Sequence, residues 1–90
     1  MKEVRKRRSV RARTAPATRA LLAKLGARCK AIRIDEGLTQ VEVAEKARIS
    51  LSYLQVVERG TDNPSMAIVA ALARVYRMFL SCLLHGVDDR

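Results

Sequence analysis

TQVEVAEKARISLSYLQVVERG, residues 39–60, holds two short apolar patterns separated by a brief break. Thr39 and Glu42 form a T-x-x-E capping box, the mark of a helix start. A helix is predicted over 39–47 with Val43, Ala44 and Ala47 inward. Ser50 is the next N-cap candidate. Leu54 and Val57 lie three apart on a second helix, 50–59, which ends at Gly60, a residue able to take the left-handed conformation that closes helices. Two helices this short, joined by so short a turn, cannot lie parallel and must cross steeply. Ala44 is small enough for the backbones to approach, and Ile49 adds an apolar contact in the turn.

That is the helix-turn-helix arrangement. Removing its packing residues leaves one face of the second helix unexplained: Ser50, Leu51, Ser52, Gln55, Val56 and Arg59, with Tyr53 at the edge. Such a helix fits the DNA major groove and reads base edges from its N-terminal half. Gln55 can bond to adenine or other base edges, Ser52 to several bases, and Leu51 and Val56 can pack on thymine methyls.

Upstream, Leu21, Leu25, Cys29 and Ile32 recur at steps of four, four and three, one buried helical stripe that Leu22 widens. Thr18 is its predicted N-cap, and Gly37 with Leu38 its C-terminal closure. Downstream, Thr61-Asp62-Asn63-Pro64 reads as a loop. Ser65 caps a fourth helix with Ile68, Val69, Leu72 and Tyr76 inward. Leu80, Leu83 and Leu84 indicate a short fifth helix stopping near Gly86. The expected fold class is all-α, five helices, with a helix-turn-helix domain over 17–86 and a short tail over 87–90.

Ninety residues make one domain, and with 49% apolar residues a core is within reach. The aromatics are Tyr53, Tyr76 and Phe79, with no Trp, so that core is aliphatic. Net charge is +9, which points to an anionic partner: nucleic acid, or less often an acidic membrane surface. Most of the excess sits in residues 1–19, where Lys2, Arg5, Lys6, Arg7, Arg8, Arg11, Arg13 and Arg19 face Glu3 alone. Residues 1–16 have too little apolar surface to offset ordering entropy and are predicted to form a flexible basic arm. A transit peptide is the competing reading, weakened by the poor apolar face. No apolar run nears a membrane span and no secretion signal is evident, so a cytoplasmic, nucleoid-associated protein with reduced Cys29 and Cys82 is expected.

The wider pattern resembles the lambda-repressor-like helix-turn-helix family, with its phage repressors and xenobiotic-response-element-type regulators. The matching pieces are LGARCKAIRIDEGLTQ (25–40), VAEKARIS (43–50), SYLQVVERG (52–60), NPS (63–65) and LSCLL (80–84). The resemblance implies base contacts at Leu51, Ser52, Gln55 and in some members Val56, and phosphate contacts at Gln40, Ser50, Arg59, Thr61 and Asn63. Tyr53 and Arg48 are added here as phosphate candidates, Arg48 because it replaces the family's turn glycine and bears a cation. The resemblance also implies a buried salt bridge between Arg33 and Glu58. Leu51 stands where relatives often carry a polar reader. Arg77 and Phe79 replace a closing glycine and a capping serine, so the fifth helix could start differently.

The arm residues Arg5, Lys6, Arg7, Arg8, Arg11 and Arg13 are expected on phosphates or in the minor groove. Phe79, Leu80, Leu83, Leu84 and Val87 exceed what one small helix can hide and are expected at a two-fold dimer interface. That would set two recognition helices about 34 Å apart, one DNA turn, on an inverted repeat. The sequence thus predicts a dimeric, sequence-specific repressor without metal or cofactor. Control then falls to concentration, a partner protein or proteolysis, since little chain follows residue 84. The alternatives are an antitoxin or adaptor whose main partner is a small protein, a restriction–modification controller, or a non-specific nucleic-acid binder led by the arm. No nucleophile–base set, carboxylate pair, metal cluster or phosphate-cradling glycine loop supports an enzyme. His85 has no second ligand nearby.

Overall fold

The computed structural model describes residues 15–87, and these form five α-helices and no strand. They are α1 (Pro16–Asp35), α2 (Gln40–Ala47), α3 (Leu51–Arg59), α4 (Met66–Val75) and α5 (Leu80–Leu83). Residues 1–14 and 88–90 lie outside the described part; Ala15 and Pro16, expected in the flexible arm, are instead the N-cap and first residue of α1. Among the described residues, no helix is long and apolar enough to cross a membrane.

The helix starts follow local chemistry. Thr39 accepts from the Glu42 N–H while the Glu42 carboxylate accepts from the Thr39 N–H, completing the capping box. The Ser50 and Ser65 hydroxyls accept from the N–H groups of Tyr53 and Ile68. Two starts differ. α1 begins before Thr18, because Pro16 at its first position fixes φ for the helix; Ala15 is the N-cap and makes no side-chain cap bond. α5 starts at Leu80 after Phe79, a cap that offers no hydrogen bond, and it ends at Leu83, short of the stop expected near Gly86.

The helix ends share one design. In α1 to α4 the chain closes with a left-handed residue whose N–H bonds back three residues, followed by a residue whose N–H bonds back five. For α1 these are Gly37 N–H to Ile34 O and Leu38 N–H to Arg33 O, both 3.0 Å. Arg48, Gly60 and Arg77 hold the same place after α2, α3 and α4. Arg48 and Arg77 do so as non-glycine residues at φ 62° and 59°, which costs about 1–2 kcal/mol each.

The core is aliphatic. Leu54, Leu72, Leu83, Val43, Val57 and Cys29 are fully buried, and Tyr76 is the aromatic exception. α3 packs between α1 and α2, α2 also packs on α4, and α4 on α5. The crossing of α1 over α3 depends on Gly26. A Cβ there would lie 2.5 Å from both Val57 O and Glu58 O. Gly60, opposite Ala23, is equally crowded. Beyond that crossing α1 overhangs, which leaves Leu21, expected in the buried stripe, 40% exposed.

At the far end Arg28 of α1 clasps α5. Its Nε donates to Leu83 O (3.0 Å) and its Nη2 to Cys82 O (2.7 Å), satisfying last-turn carbonyls. The same docking corrects the predicted dimer surface. Leu83 and Val87 are 0% and 5% exposed and complete the chain's own core, so neither is open to a second copy. Leu80 and Leu84 are half-buried against that core, and Phe79 projects outward, 79% exposed.

Candidate nucleic-acid interface

α3 divides cleanly. Leu54, Val57 and Glu58 face inward; Leu51, Ser52 and Arg59 are exposed; Gln55 and Val56 are half-buried beside them. The outward face therefore carries two hydroxyl or amide readers and two aliphatic ones. The Ser50 hydroxyl accepts the capping bond from the Tyr53 N–H and lies 3.4 Å from the Ser52 hydroxyl. Arg48 is exposed at the turn before α3 and Arg59 at the helix end, so a cation flanks each end of the face. Of the other anticipated phosphate-side residues, Thr61 and Asn63 are exposed in the loop after α3. The Thr61 hydroxyl donates to Val56 O at 3.4 Å, and the Asn63 N–H to Asp62 Oδ1 at 2.8 Å. Tyr53 is half-buried; burial, then the nearby Asp62 charge, push its phenol pKa up.

Beneath this face lies the predicted ion pair. Arg33 Nε reaches Glu58 Oε2 at 2.7 Å and Nη2 reaches Oε1 at 3.1 Å, a bidentate pair joining α1 to α3. The side chains are only 11% and 3% exposed. A third Arg33 nitrogen, Nη1, donates to Leu38 O (3.2 Å), fastening the closure of α1. The hydrogen bond to Glu58 raises the Arg33 pKa above its ordinary value, outweighing the lowering by burial. Close by, Cys29 is fully buried and free, its thiol pushed up to about 12 by desolvation and then by the Glu58 charge. Removing either member of the pair would leave an uncompensated buried charge.

Gln40 is tied into the same structure. Its Nε2 donates to Glu58 Oε1 (3.0 Å), and its Oε1 accepts from Gln55 Nε2 (3.3 Å). A polar chain thus runs from α1 through α3 and α2 and back to the outer face of α3. The amide of Gln40, expected on a phosphate, is turned inward. Three contributors were not legible as such in the sequence: Gly26, Arg28, and Gln40 in this linking role. A lone glycine inside a helical pattern was the available signal for the first, since it weakens the helix by about 1 kcal/mol unless packing requires it.

Among the described residues, no group of three or more His, Cys, Asp or Glu side chains is arranged to hold a metal ion. The arm candidates Arg5, Lys6, Arg7, Arg8, Arg11 and Arg13 lie outside the described residues.

Comparison with known proteins agrees with this architecture. The immunity repressor protein of Bacillus phage phi105 is 43% identical over 60 residues, 67% of this chain and 42% of the repressor. The transcriptional regulator ClgR of Mycobacterium tuberculosis is 36% identical over 58 residues, 64% of this chain and 52% of the regulator. The chain thus spans about half the length of such relatives. Among solved structures, the clp gene regulator ClgR from Corynebacterium glutamicum superposes with a TM-score of 0.69 at 33% identity, covering 71% of this chain and 68% of that one. The restriction-modification controller protein C.AhdI from Aeromonas hydrophila gives 0.67 at 32% identity, covering 69% and 94%. Residues 30–78 match the helix-turn-helix family directly, and with the fold and α3 face described above they show that the chain belongs to the lambda-repressor-like helix-turn-helix family.

Proposed function

We propose that this chain is a sequence-specific DNA-binding transcriptional regulator of the xenobiotic-response-element type, a repressor acting as a homodimer on an inverted repeat. The observation that carries this reading is the α3 face: Leu51 and Ser52 exposed with Gln55 and Val56 half-buried beside them, flanked by Arg48 and Arg59. In this reading those four side chains contact bases. Arg48, Ser50, Tyr53, Arg59, Thr61, Asn63 and the start of α2 at Gln40 meet phosphates, and the basic arm adds sequence-independent affinity. The relatives named above are regulators, not enzymes.

Dimerisation would use Phe79 with the open sides of Leu80 and Leu84. Phe79 borders a shallow depression with Arg74, Arg77, Met78 and Cys82. The coverage of 94% of C.AhdI favours a second reading within the same class, a restriction–modification controller.

The test is selection of bound duplexes from a random pool by the full chain, alongside a form lacking residues 1–16 and a Gln55→Ala variant. Recovery of an inverted repeat, weakened at one base pair per half-site by Gln55→Ala, is expected. A pool returned unchanged, or Gln55→Ala binding that matches wild type on every duplex, would overturn the reading. A small protein co-purifying in place of DNA would point to an adaptor or antitoxin instead.

A further inference from the structure

We infer that Arg28 is a positioning residue that sets the spacing between the two half-sites a dimer reads; this rests on the homodimer through α5 proposed above.

α5 is a single turn, Leu80–Leu83, and it starts at Phe79 without a side-chain cap bond. Leu83 anchors it in the core, fully buried. Apolar burial is non-directional, so this anchor sets the depth of the turn and holds its orientation only weakly. Arg28 supplies the direction. Its guanidinium donates from Nε to Leu83 O at 3.0 Å and from Nη2 to Cys82 O at 2.7 Å. Two donors locked in one plane, meeting two successive carbonyls, hold the turn against rotation. Both bonds carry the cation's charge, and they fall at the helix end where a cation is favoured.

The same stretch of α1 touches the reading helix. Gly26 lies two residues before Arg28, about 3 Å of helix rise. A Cβ on it would lie 2.5 Å from Val57 O and Glu58 O. α1 is thus a short strut that presses on the last turn of α3 at Gly26 and grips the last turn of α5 at Arg28. The direction of Phe79 and of the open sides of Leu80 and Leu84, seen from α3, follows from this strut. In a two-fold dimer joined at those side chains, that direction fixes where one α3 stands relative to the other.

Adding one base pair between half-sites moves them apart by about 3.4 Å and turns them by about 34°. Each copy must absorb half, about 1.7 Å and 17° by the same figures. A shift of that size exceeds the slack in bonds of 2.7 and 3.0 Å, which cease to act as hydrogen bonds by about 3.6 Å. The turn must therefore leave the clasp in an off-spaced complex. Losing one charged hydrogen bond corresponds to roughly 10-fold or more in affinity.

The experiment first selects duplexes from a random pool with the full wild-type chain. The recovered inverted repeat is then made at its own spacing and with one base pair added or removed at its centre. Fluorescence anisotropy measures the affinity of wild type, Arg28→Met and Arg28→Lys for all three duplexes. Lysine keeps a cation at the end of α5 but has no rigid plane of donors. Wild type is expected to lose roughly 10-fold or more on both altered spacings. Both variants are expected to bind the three duplexes nearly alike, with base preferences inside each half-site unchanged. Circular dichroism checks folding; where Arg28→Met fails to fold, Arg28→Lys carries the test. Variants weakened by one common factor, with the wild-type spacing penalty intact, would make Arg28 a brace for stability alone and overturn the inference. Altered base preference within a half-site would place its effect on α3 and also overturn it. A wild-type pool that returns single half-sites, or no preferred sequence, removes the dimeric reading underneath, and that outcome is seen before any variant is made.

Discussion

Gly26→Ala sets two effects of opposite sign against each other. Helix propensity alone favours alanine at an interior position by about 1 kcal/mol. The added methyl would lie 2.5 Å from Val57 O and from Glu58 O. Close carbon–oxygen contacts settle at about 3.3–3.6 Å, so α1 and α3 must separate by roughly 1 Å. Both neighbours are backbone atoms of one helix, and neither can rotate away. Such a separation loosens the packing of Leu25 and Cys29 and strains the Arg33–Glu58 pair further along the same interface. Overpacking costs about 1–3 kcal/mol, and backbone neighbours place this site at the upper end. The net loss is therefore about 2 kcal/mol. In a domain of this size that lowers Tm by roughly 8–16 °C. Urea unfolding followed by circular dichroism reads the change, with Gly37→Ala as control: its Cβ meets nothing within 4 Å, so it suffers only the left-handed backbone penalty at φ 72° of about 1 kcal/mol. A Gly26→Ala chain as stable as wild type, or more stable, would refute the close approach.

Arg33→Met or Glu58→Met alone should destabilise by about 3–5 kcal/mol, and the double variant by much less, because only the single changes strand a buried charge; a urea-based mutant cycle measures this. At pH 8 the folded chain should take up one iodoacetamide, at exposed Cys82, and a second at Cys29 only after unfolding, since burial holds the Cys29 thiol near 12; mass spectrometry counts the adducts. The Thr39 N–H, and secondarily its hydroxyl, hold the Glu42 carboxyl below its ordinary range. Its stabilising share is thus present above the unfolded pKa of about 4.3 and lost as pH falls through the lower folded value. Glu42→Gln should flatten that part of the stability profile measured between pH 7 and pH 3.

The parts of the fold that were legible in the sequence are those settled within a turn or two of chain. The Thr39–Glu42 box, the caps at Ser50 and Ser65 and the closures at Gly37 and Gly60 depend on neighbours three to five residues away. The inward Leu54 and Val57 of α3 followed from spacing alone. What was missed depends on distant partners. Gly26 meets Val57 and Glu58, Arg28 meets Leu83, and Gln40 meets Glu58 and Gln55. Leu83 and Val87 were misplaced because a helix as short as α5 has too little periodicity to say which side faces the core. Thr18 lost its capping role to a proline two residues earlier, a local signal outweighed by a stronger local one. Arg33 and Glu58 were recognised as partners through family resemblance, and their spacing in the chain carries no such information.

Arg48 and Arg77 hold positions where glycine would rest without strain. Replacing either with glycine relieves about 1–2 kcal/mol of backbone strain and returns about 0.4–1 kcal/mol to the freer unfolded chain. The difference is about 0 to 1.6 kcal/mol per site before the lost cation is counted. The two cations sit at the electronegative ends of α2 and α4, where they offset part of that strain. Glycine at both sites would therefore leave stability nearly unchanged and give a less cationic molecule.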